Sequence, residues 1–299
     1  MSRIGGIEAG GTKMVLAVGD GTGDVFERTQ IPTTDPAQCV PHMVEWFRRR
    51  DIDALGIGAF GPTCVSPSDP RYGQILETPK SAWKYHDFRG DFVRELGIPV
   101  GYDTDVNAAC LGEATFGAAR GCDCVVYVTV GTGIGAGVMI EGTLLHGMLH
   151  PEAGHIVVPK VEGDRGRSVC PYHDSCLEGM ASGPSIERRW GKKAADLASD
   201  DRVWGLEAAY LAEGVSTYVL CYAPQRIVLG GGVMSQGQLF PLVRDKVQEI
   251  LHGYIATSQV ENISEYIVPA GCGGAQGILG AIELGRRALC AEQLDTKAV

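Results

Sequence analysis

The chain has 299 residues, of which 44% are hydrophobic and 21% charged, and 36 acidic against 26 basic side chains give a net charge of −10. A length near 300 suggests about two domains, and the composition excludes a disordered chain, a collagen and a coiled coil. The acidic balance disfavours a nucleic-acid partner, and no apolar run reaches the roughly 18 residues of a membrane helix. Residues 1–5 lead straight into a strand pattern rather than a secretion signal, so we expect a cytoplasmic protein without a membrane partner.

The first elements in chain order are two short strands around a glycine turn. Apolar residues 4–7 are followed by Glu8-Ala9-Gly10-Gly11-Thr12-Lys13 and then by the apolar run 14–18, a pattern typical of a hairpin. Backbone N–H groups in such a turn can point at one anion, and the missing Cβ atoms let phosphate oxygens approach. A strand rather than a helix follows, which argues against a Walker A loop. The pattern predicts a phosphate-binding turn, the alternative being a simple hairpin, formed by Gly10, Gly11, Thr12 and Lys13.

Two carboxylates directly follow the strand predicted at residues 98–102. Asp103-Thr104-Asp105 stands between that strand and a predicted helix, which is where α/β proteins place their chemistry. Asp and Thr are both favoured N-caps, so either Asp103 or Thr104 is expected to start the helix. Asp105 is then available to take a proton from an attacking hydroxyl, and we interpret it as a general base.

The same α/β pattern occurs a second time in the chain. Residues 124–130 form a β-rich run, followed by a second glycine turn, Gly131-Thr132-Gly133, and another apolar strand. Because no helix follows this turn, a dinucleotide-binding fingerprint is not supported, whereas a second phosphate turn is. We interpret the chain as one α/β unit used twice, with starts near residues 3 and 123. Helical periodicity predicts helices at about residues 36–50, 106–119, 206–222, 239–252 and 275–292.

Four potential metal ligands occur in the second half with the spacing H-x14-C-x2-H-x2-C. They are His155, Cys170, His173 and Cys176. Two thiolates and two imidazoles suit tetrahedral Zn²⁺, and four protein ligands leave no position for a catalytic water. The spacing predicts a structural zinc site, the alternative being packed cysteines and surface histidines. The other eight of the ten cysteines show no ligand spacing.

Together these motifs resemble the ROK family of sugar kinases, and in particular its bacterial zinc-containing fructokinases. The resemblance rests on residues 8–13, the Asp105 segment, residues 131–135, Pro151-Glu152-Ala153-Gly154-His155, the Cys/His cluster ending in Glu178, and Leu229-Gly230-Gly231-Gly232. It implies the α/β actin/hexokinase-type ATPase fold, with two ribonuclease-H-like lobes around a cleft. The N-terminal lobe would be residues 1–120, on the sugar and phosphate side, joined by a C-terminal helix, 276–299. The C-terminal lobe would be 121–275, with the zinc-binding insertion at about 155–178.

The resemblance also implies the reaction: phosphorylation of D-fructose to fructose 6-phosphate by ATP with Mg²⁺, in a homodimer that carries structural Zn²⁺. Another ROK hexokinase, acting on glucose, mannose or an N-acetylhexosamine, is the alternative. A sugar-responsive repressor is disfavoured because such relatives add an N-terminal helix-turn-helix.

By the same resemblance, residues of the family's motifs take specific roles. Thr132 and Gly133 would join the first turn in holding ATP phosphates, and His155 would use one ring nitrogen for zinc and the other for sugar. Glu8 stands where many relatives carry Asp and would hold Mg²⁺ through water, and Thr104 replaces an Asn, which agrees with the fructokinase branch. The adenosine side would be lined by Gly230, Gly231 and Gly232, and the sugar would be bound by Gly61, Pro62, Asp105, Glu152, His155 and Glu178.

Overall fold

The computed structural model describes residues 2–297 and shows two five-stranded mixed sheets with surrounding helices. The strands are β1 (Ile4–Ala9), β2 (Lys13–Gly19), β3 (Val25–Pro32), β4 (Ala54–Ala59), β5 (Val100–Thr104), β6 (Val125–Val130), β7 (Ile134–Ile140), β8 (Thr143–Leu144), β9 (Arg226–Gly230) and β10 (Ile267–Pro269). The helices are α1 (Pro36–Arg48), α2 (Phe88–Leu96), α3 (Asp105–Phe116), α4 (Leu177–Ala181), α5 (Gly183–Trp190), α6 (Asp201–Tyr222), α7 (Leu239–Leu251), α8 (Ser258–Glu261), α9 (Ile263–Tyr266) and α10 (Gln276–Lys297).

The two sheets have the same strand order, which confirms the predicted duplication. The first sheet runs β3-β2-β1-β4-β5, and the second, read in the same direction, runs β8-β7-β6-β9-β10. In each sheet the first two strands of the repeat form an antiparallel hairpin, β1 with β2 and β6 with β7. The later strands pair in parallel, as β4 does with β1 and β9 with β6. Both glycine turns predicted from the sequence therefore lie at hairpin tips.

Two compact units divide the chain. The first contains the described residues up to Arg120, together with Leu144–His150 and everything from Gly271 onward. The second contains Gly121–Thr143 and Pro151–Ala270. The lobe boundaries implied by the family resemblance stay a prediction, and residues 298 and 299 of the expected terminal helix lie outside the described residues. No described helix combines the length and apolarity needed to cross a lipid bilayer.

Strands β1, β2, β4 and β5 of the first sheet are buried on both faces, which explains why they read as nearly continuous apolar runs. The edge strand β3 is largely exposed. On one face Ile7 and Ile57 join a core with Phe47 of α1. On the other face Val15 packs in a cluster that includes Ile282 of α10. The C-terminal helix thus completes the core of the unit in which the chain begins.

Glycines let α10 approach α3 and the sheet closely. A Cβ on Gly280 of α10 would lie 1.6 Å from the carbonyl oxygen of Ala108, and one on Gly112 of α3 would lie 2.2 Å from the carbonyl oxygen of Gln276. Because the obstructing atoms belong to the backbone, no side-chain rotation could make room for a methyl group.

We therefore expect Gly280→Ala to destabilise the protein by about 3 kcal/mol, near the upper end of typical overpacking costs. Urea unfolding followed by circular dichroism would measure the change. Gly205→Ala is the matched control, because Gly205 is also helical but has no atom within 4 Å of an added Cβ. The control should be as stable as the wild type or gain about 0.5–1 kcal/mol. Equal stability of the two variants would contradict the close packing.

Candidate active site and metal centre

Asp105 is the first residue of α3, directly after the carboxyl end of β5. Thr104 is the N-cap: its Oγ1 accepts a hydrogen bond from the backbone N–H of Asn107 at 3.1 Å. Asp105 is half-buried, and its Oδ1 accepts from the N–H of Val106 at 2.9 Å. Of the two caps considered from the sequence, Thr104 is therefore the one used, and the Asp105 carboxylate is fixed at the start of the helix.

Asp103 is buried and forms the centre of a hydrogen-bond network. Its Oδ1 accepts from the backbone N–H of Thr104 and from Nδ2 of Asn107, both at 2.7 Å. Its Oδ2 accepts from Nε2 of His146 at 2.8 Å. The hydrogen bond to this carboxylate raises the pKa of His146 above its usual value of 6.5. Asp103 thus binds the first turn of α3 to the segment Leu144–His150, an interaction that the sequence motifs did not indicate.

The first glycine turn has the open backbone that an anion site needs. The N–H of Gly10 donates to the carbonyl of Lys13 at 3.0 Å, and Oγ1 of Thr33 donates to the carbonyl of Gly10 at 2.8 Å. These two hydrogen bonds hold the backbone of the turn in place, while Gly11, Thr12 and Lys13 are exposed. The arrangement can present N–H groups and a hydroxyl to phosphate oxygens.

Glu8 lies near the end of β1, beside the N-terminus of α10. A Cβ on Gly277 would be 2.6 Å from the carboxyl carbon of Glu8. Burial raises the pKa of Glu8, and the positive charges of Arg28 and Lys13 oppose that shift. Mg²⁺ is commonly held by one or two carboxylates together with substrate phosphates and water. A single carboxylate next to an exposed phosphate-type turn fits that donor set.

The candidate sugar residues Gly61 and Pro62 belong to the same unit as Asp105. They follow β4 and are joined by a cis peptide bond. Thr63, the next residue, is buried, and its Oγ1 lies 2.6 Å from the hydroxyl of Tyr102 in β5. Since β4 and β5 are parallel neighbours, Gly61, Pro62 and Asp105 all lie at the carboxyl edge of the first sheet.

In the second unit, Glu178 is bound to the second glycine turn. Its Oε2 accepts from the N–H of Ile134 at 3.0 Å, and a Cβ on Gly133 would lie 2.6 Å from that oxygen. The carbonyl of Gly131 accepts from the N–H of Gly183, the first residue of α5, at 2.8 Å. Thr132 is exposed at the tip of this turn. A side chain at position 133 would displace the Glu178 carboxylate and disturb its hydrogen bond to Ile134.

The glycine run after β9 lies against β6. Gly230 is the last residue of β9, and Gly231 has a φ of +90°, a conformation that side chains rarely adopt. A Cβ on Gly231 would also lie 2.4 Å from the carbonyl oxygen of Val130. Gly232 is exposed. Residues 230–232 therefore place backbone without side chains next to the strand that leads into the second glycine turn.

The four predicted metal ligands come together in the second unit. The ligand atoms of His155, Cys170, His173 and Cys176 all lie within 4.8 Å of one another. Cys170 Sγ is 3.8 Å from His155 Nδ1 and 3.5 Å from His173 Nδ1, and Cys176 Sγ is 3.7 Å from His155 Nδ1. Tetrahedral zinc with ordinary bond lengths requires ligand separations of about 3.3–3.8 Å, the sulfur–nitrogen pairs being near 3.6 Å. The donor set and its spacing both fit zinc.

Burial reinforces this fit. Cys176 is buried, and desolvation raises the pKa of its thiol to about 11. A cation coordinates the thiolate form and would therefore supply the charge compensation that this buried sulfur otherwise lacks.

His155 connects the metal cluster to Glu178. Its Nδ1 faces the two cysteines, while its Nε2 lies 3.8 Å from Oε1 of Glu178. The backbone N–H of His155 donates to the carbonyl of Glu152 at 2.9 Å, within the short 3₁₀ turn Ala153–His155. Glu152, His155 and Glu178 are thus neighbours in one unit. The imidazole of His155 directs Nδ1 toward the two cysteines and Nε2 toward Glu178. Contact with a sugar stays a prediction for all three.

The sequence profile of the ROK family matches residues 4–288. The chain belongs to the ROK family. Two relatives are 47% and 43% identical to it. The first is a putative fructokinase of Bacillus subtilis, with 97% of each chain covered, and the second is a fructokinase of Pediococcus pentosaceus, with 96% of this chain and 98% of the relative covered. These matches confirm the family inferred from the motifs.

A solved ROK structure confirms the fold class as well. The ROK hexokinase from Thermus thermophilus superimposes with a TM-score of 0.82 at 26% identity, covering 97% of this chain and 99% of that one. With two sheets of ribonuclease-H-type strand order, the chain has the actin/hexokinase-type ATPase fold. Homodimer formation and cytoplasmic location stay predictions.

Proposed function

We propose that this ROK protein is an ATP-dependent fructokinase that converts D-fructose to fructose 6-phosphate. Family membership and the relatives described above show that the protein is a sugar kinase, which transfers phosphate to a hydroxyl group. Fructose is proposed because the two relatives described above, which match nearly the whole chain, are named as a putative fructokinase and a fructokinase. Thr104, which stands where the resemblance leads us to expect Asn in many relatives, supports the same choice.

Asp105 is the proposed general base. As the sugar hydroxyl attacks the terminal phosphorus, its proton passes to a carboxylate oxygen of Asp105, the new O–P bond forms and the bond to the leaving ADP breaks. The network around Asp103 supports this role, because it fixes the first turn of α3 and hence the position of the base. Orienting a bound nucleophile in this way can contribute several kcal/mol to catalysis, roughly 7–11 kcal/mol in the best intramolecular cases.

The exposed turns Gly10–Lys13 and Thr132–Gly133 are the proposed phosphate ligands, and Gly230–Gly232 is the proposed adenosine surface. Bound with ATP, Mg²⁺ would neutralise phosphate charge, with Glu8 holding it through water. Phosphoryl transfer depends mainly on alignment and charge neutralisation, so N–H groups and cations suffice where no covalent catalysis is needed.

Zinc has a structural role in this proposal. His155, Cys170, His173 and Cys176 would fill all four positions, so no water could be activated on the metal. Binding through Nδ1 would instead fix the tautomer of His155 and direct its Nε2 toward Glu178 and the sugar.

A sugar panel tests the function directly. With Mg-ATP and a coupled assay for ADP, we expect kcat/KM for fructose to exceed that for glucose, mannose and N-acetylglucosamine by at least about 10-fold, because each sugar hydroxyl that loses its partner leaves a buried polar group unpaired. Phosphorus NMR of the product should show a 6-phosphate. A preference for another hexose would replace fructose as the substrate, and no ADP release with any sugar would refute the kinase function.

A further inference from the structure

Lys80 stands in a rigid connection after β4, outside every motif discussed above. It precedes the 3₁₀ turn Ser81–Trp83, whose tryptophan is buried. Nε1 of Trp83 donates to the carbonyl of Thr34 at 2.6 Å, and its ring packs edge-on against Phe60 at 5.7 Å. The N–H of Lys80 also lies 3.4 Å from Oγ1 of Thr78. The backbone from which the lysine extends is therefore well anchored.

The Lys80 side chain lies over the first glycine turn. Its Cε lies 3.6 Å from a Cβ built on Gly11. Its Nζ is 5.8 Å from the centre of the Phe60 ring, close to the outer limit of a cation–π contact. The side chain thus extends between the β1–β2 turn and the residue that follows β4, and it is half-buried there.

Within residues 2–297, Lys80 makes no ion pair with a carboxylate. Lys84, only four residues later, differs in this respect because it pairs with Glu77. A lysine whose ammonium group has no carboxylate partner is available to bind a negatively charged ligand. The neighbouring turn offers open N–H groups, which select for anions, and an ammonium group adds a strong charge-assisted donor. The N–H groups of the first glycine turn and the ammonium group of Lys80 together form a candidate anion-binding site.

The sheet geometry indicates which phosphate would bind there. β4 separates β1 from β5, so at ordinary strand spacing the ends of β1 and β5 are about 10 Å apart. Gly11 follows β1, and Asp105 follows β5. A sugar hydroxyl bonded to Asp105 and the phosphoryl group that it attacks together span such a gap. The phosphate nearest the base is the one that is transferred.

We propose that Lys80 binds the terminal phosphate of the nucleotide and stabilises the charge on it during transfer, a role that rests on the kinase function proposed above. A cation at this point acts mainly in the transition state, where charge on the transferring group and the leaving oxygen is largest. Lys13 and Arg28, whose positive charges both act on Glu8, are the other cations near this turn.

The test compares Lys80→Met, Lys80→Arg and the control Lys84→Met in steady-state assays with fructose and Mg-ATP. Lys80→Met keeps an unbranched chain as far as the Cε position and removes the charged amine, so kcat should fall about 10²- to 10³-fold. KM for fructose should change by less than about twofold, since Lys80 does not bind sugar in this proposal. Lys80→Arg should recover at least about 10-fold of the loss. Lys84→Met should behave as the wild type. A Lys80→Met enzyme with kcat within about threefold of the wild type would overturn the proposal.

Calorimetry with the same proteins gives a readout that does not depend on turnover. Lys80→Met should weaken binding of a non-hydrolysable ATP analogue by at least about 10-fold, while ADP, which lacks the terminal phosphate, should lose less than about threefold. Equal losses for the two nucleotides would place Lys80 elsewhere and refute the assignment.

Thermal melting identifies a folding defect, in which case Lys80→Gln is measured instead. If wild-type protein phosphorylates no sugar, the proposed function fails, and the comparison of the two nucleotides still decides the role of Lys80.

Discussion

Asp105→Asn is expected to lower kcat at least about 100-fold while leaving the affinity for fructose and nucleotide nearly unchanged. The amide keeps the size of the side chain and an oxygen that can accept from the N–H of Val106, but it cannot take the proton from the sugar hydroxyl. Steady-state kinetics with calorimetric titration of fructose would separate the loss of turnover from any loss of binding.

Asp35→Asn is the matched control for this variant. Asp35 also stands at the start of a helix, where its side chain accepts from the N–H of Gln38 at 3.0 Å, and Asn serves equally well as an N-cap. The control should keep wild-type kinetics. Turnover by Asp105→Asn within a few-fold of the control would exclude Asp105 as the general base. Another carboxylate of the first unit would then have to take the proton.

Cys170→Ser is expected to abolish zinc binding and to lower the melting temperature by about 10 °C. The metal would join the Ala153–His155 turn to the segment before α4, and a loss of about 3–5 kcal/mol corresponds to such a shift in a chain of this size. Elemental analysis should find one zinc per wild-type chain and none in the variant. KM for fructose should rise more than kcat falls, because His155 loses the contact that orients its ring.

Cys221→Ser is the matched control here, because Cys221 belongs to the same unit but is exposed and lies outside the cluster. It should retain zinc, stability and activity. Wild-type protein purified without zinc, or equal melting temperatures for the two serine variants, would contradict a structural metal site.

Local patterns in the sequence predicted the elements that depend on short-range rules. The β1–β2 and β6–β7 hairpins follow from apolar runs interrupted by glycines, and the metal cluster follows from a spacing that lies mostly within seven residues. The five predicted helices are confirmed with ends shifted by a few residues. Even α2, which was not predicted, has recognisable boundaries, since Asp87 caps its start and Gly97 ends it with a φ of +64°.

Local sequence patterns do not predict contacts between residues that are far apart in the chain. His146 meets Asp103 across 43 residues, and nothing in the local sequence of either residue indicates the partner. The approach of Lys80 to Gly11 likewise depends on how the loop after β4 folds back, and that path is anchored by Trp83 rather than by a motif. Periodicity identified the terminal helix, but only the three-dimensional packing shows that Gly280 brings it against α3.

The position of α10 has a consequence for the order in which the protein matures on the ribosome. All residues of the second unit precede Gly271, whereas the first unit lacks one layer of its core until α10 has been synthesised. Amino-terminal domains usually fold first during synthesis, but we expect the second unit of this chain to complete its fold before the first. The half that emerges earliest must wait with one apolar sheet surface uncovered, and a ribosome stalled before the last helix would leave that surface open to chaperones.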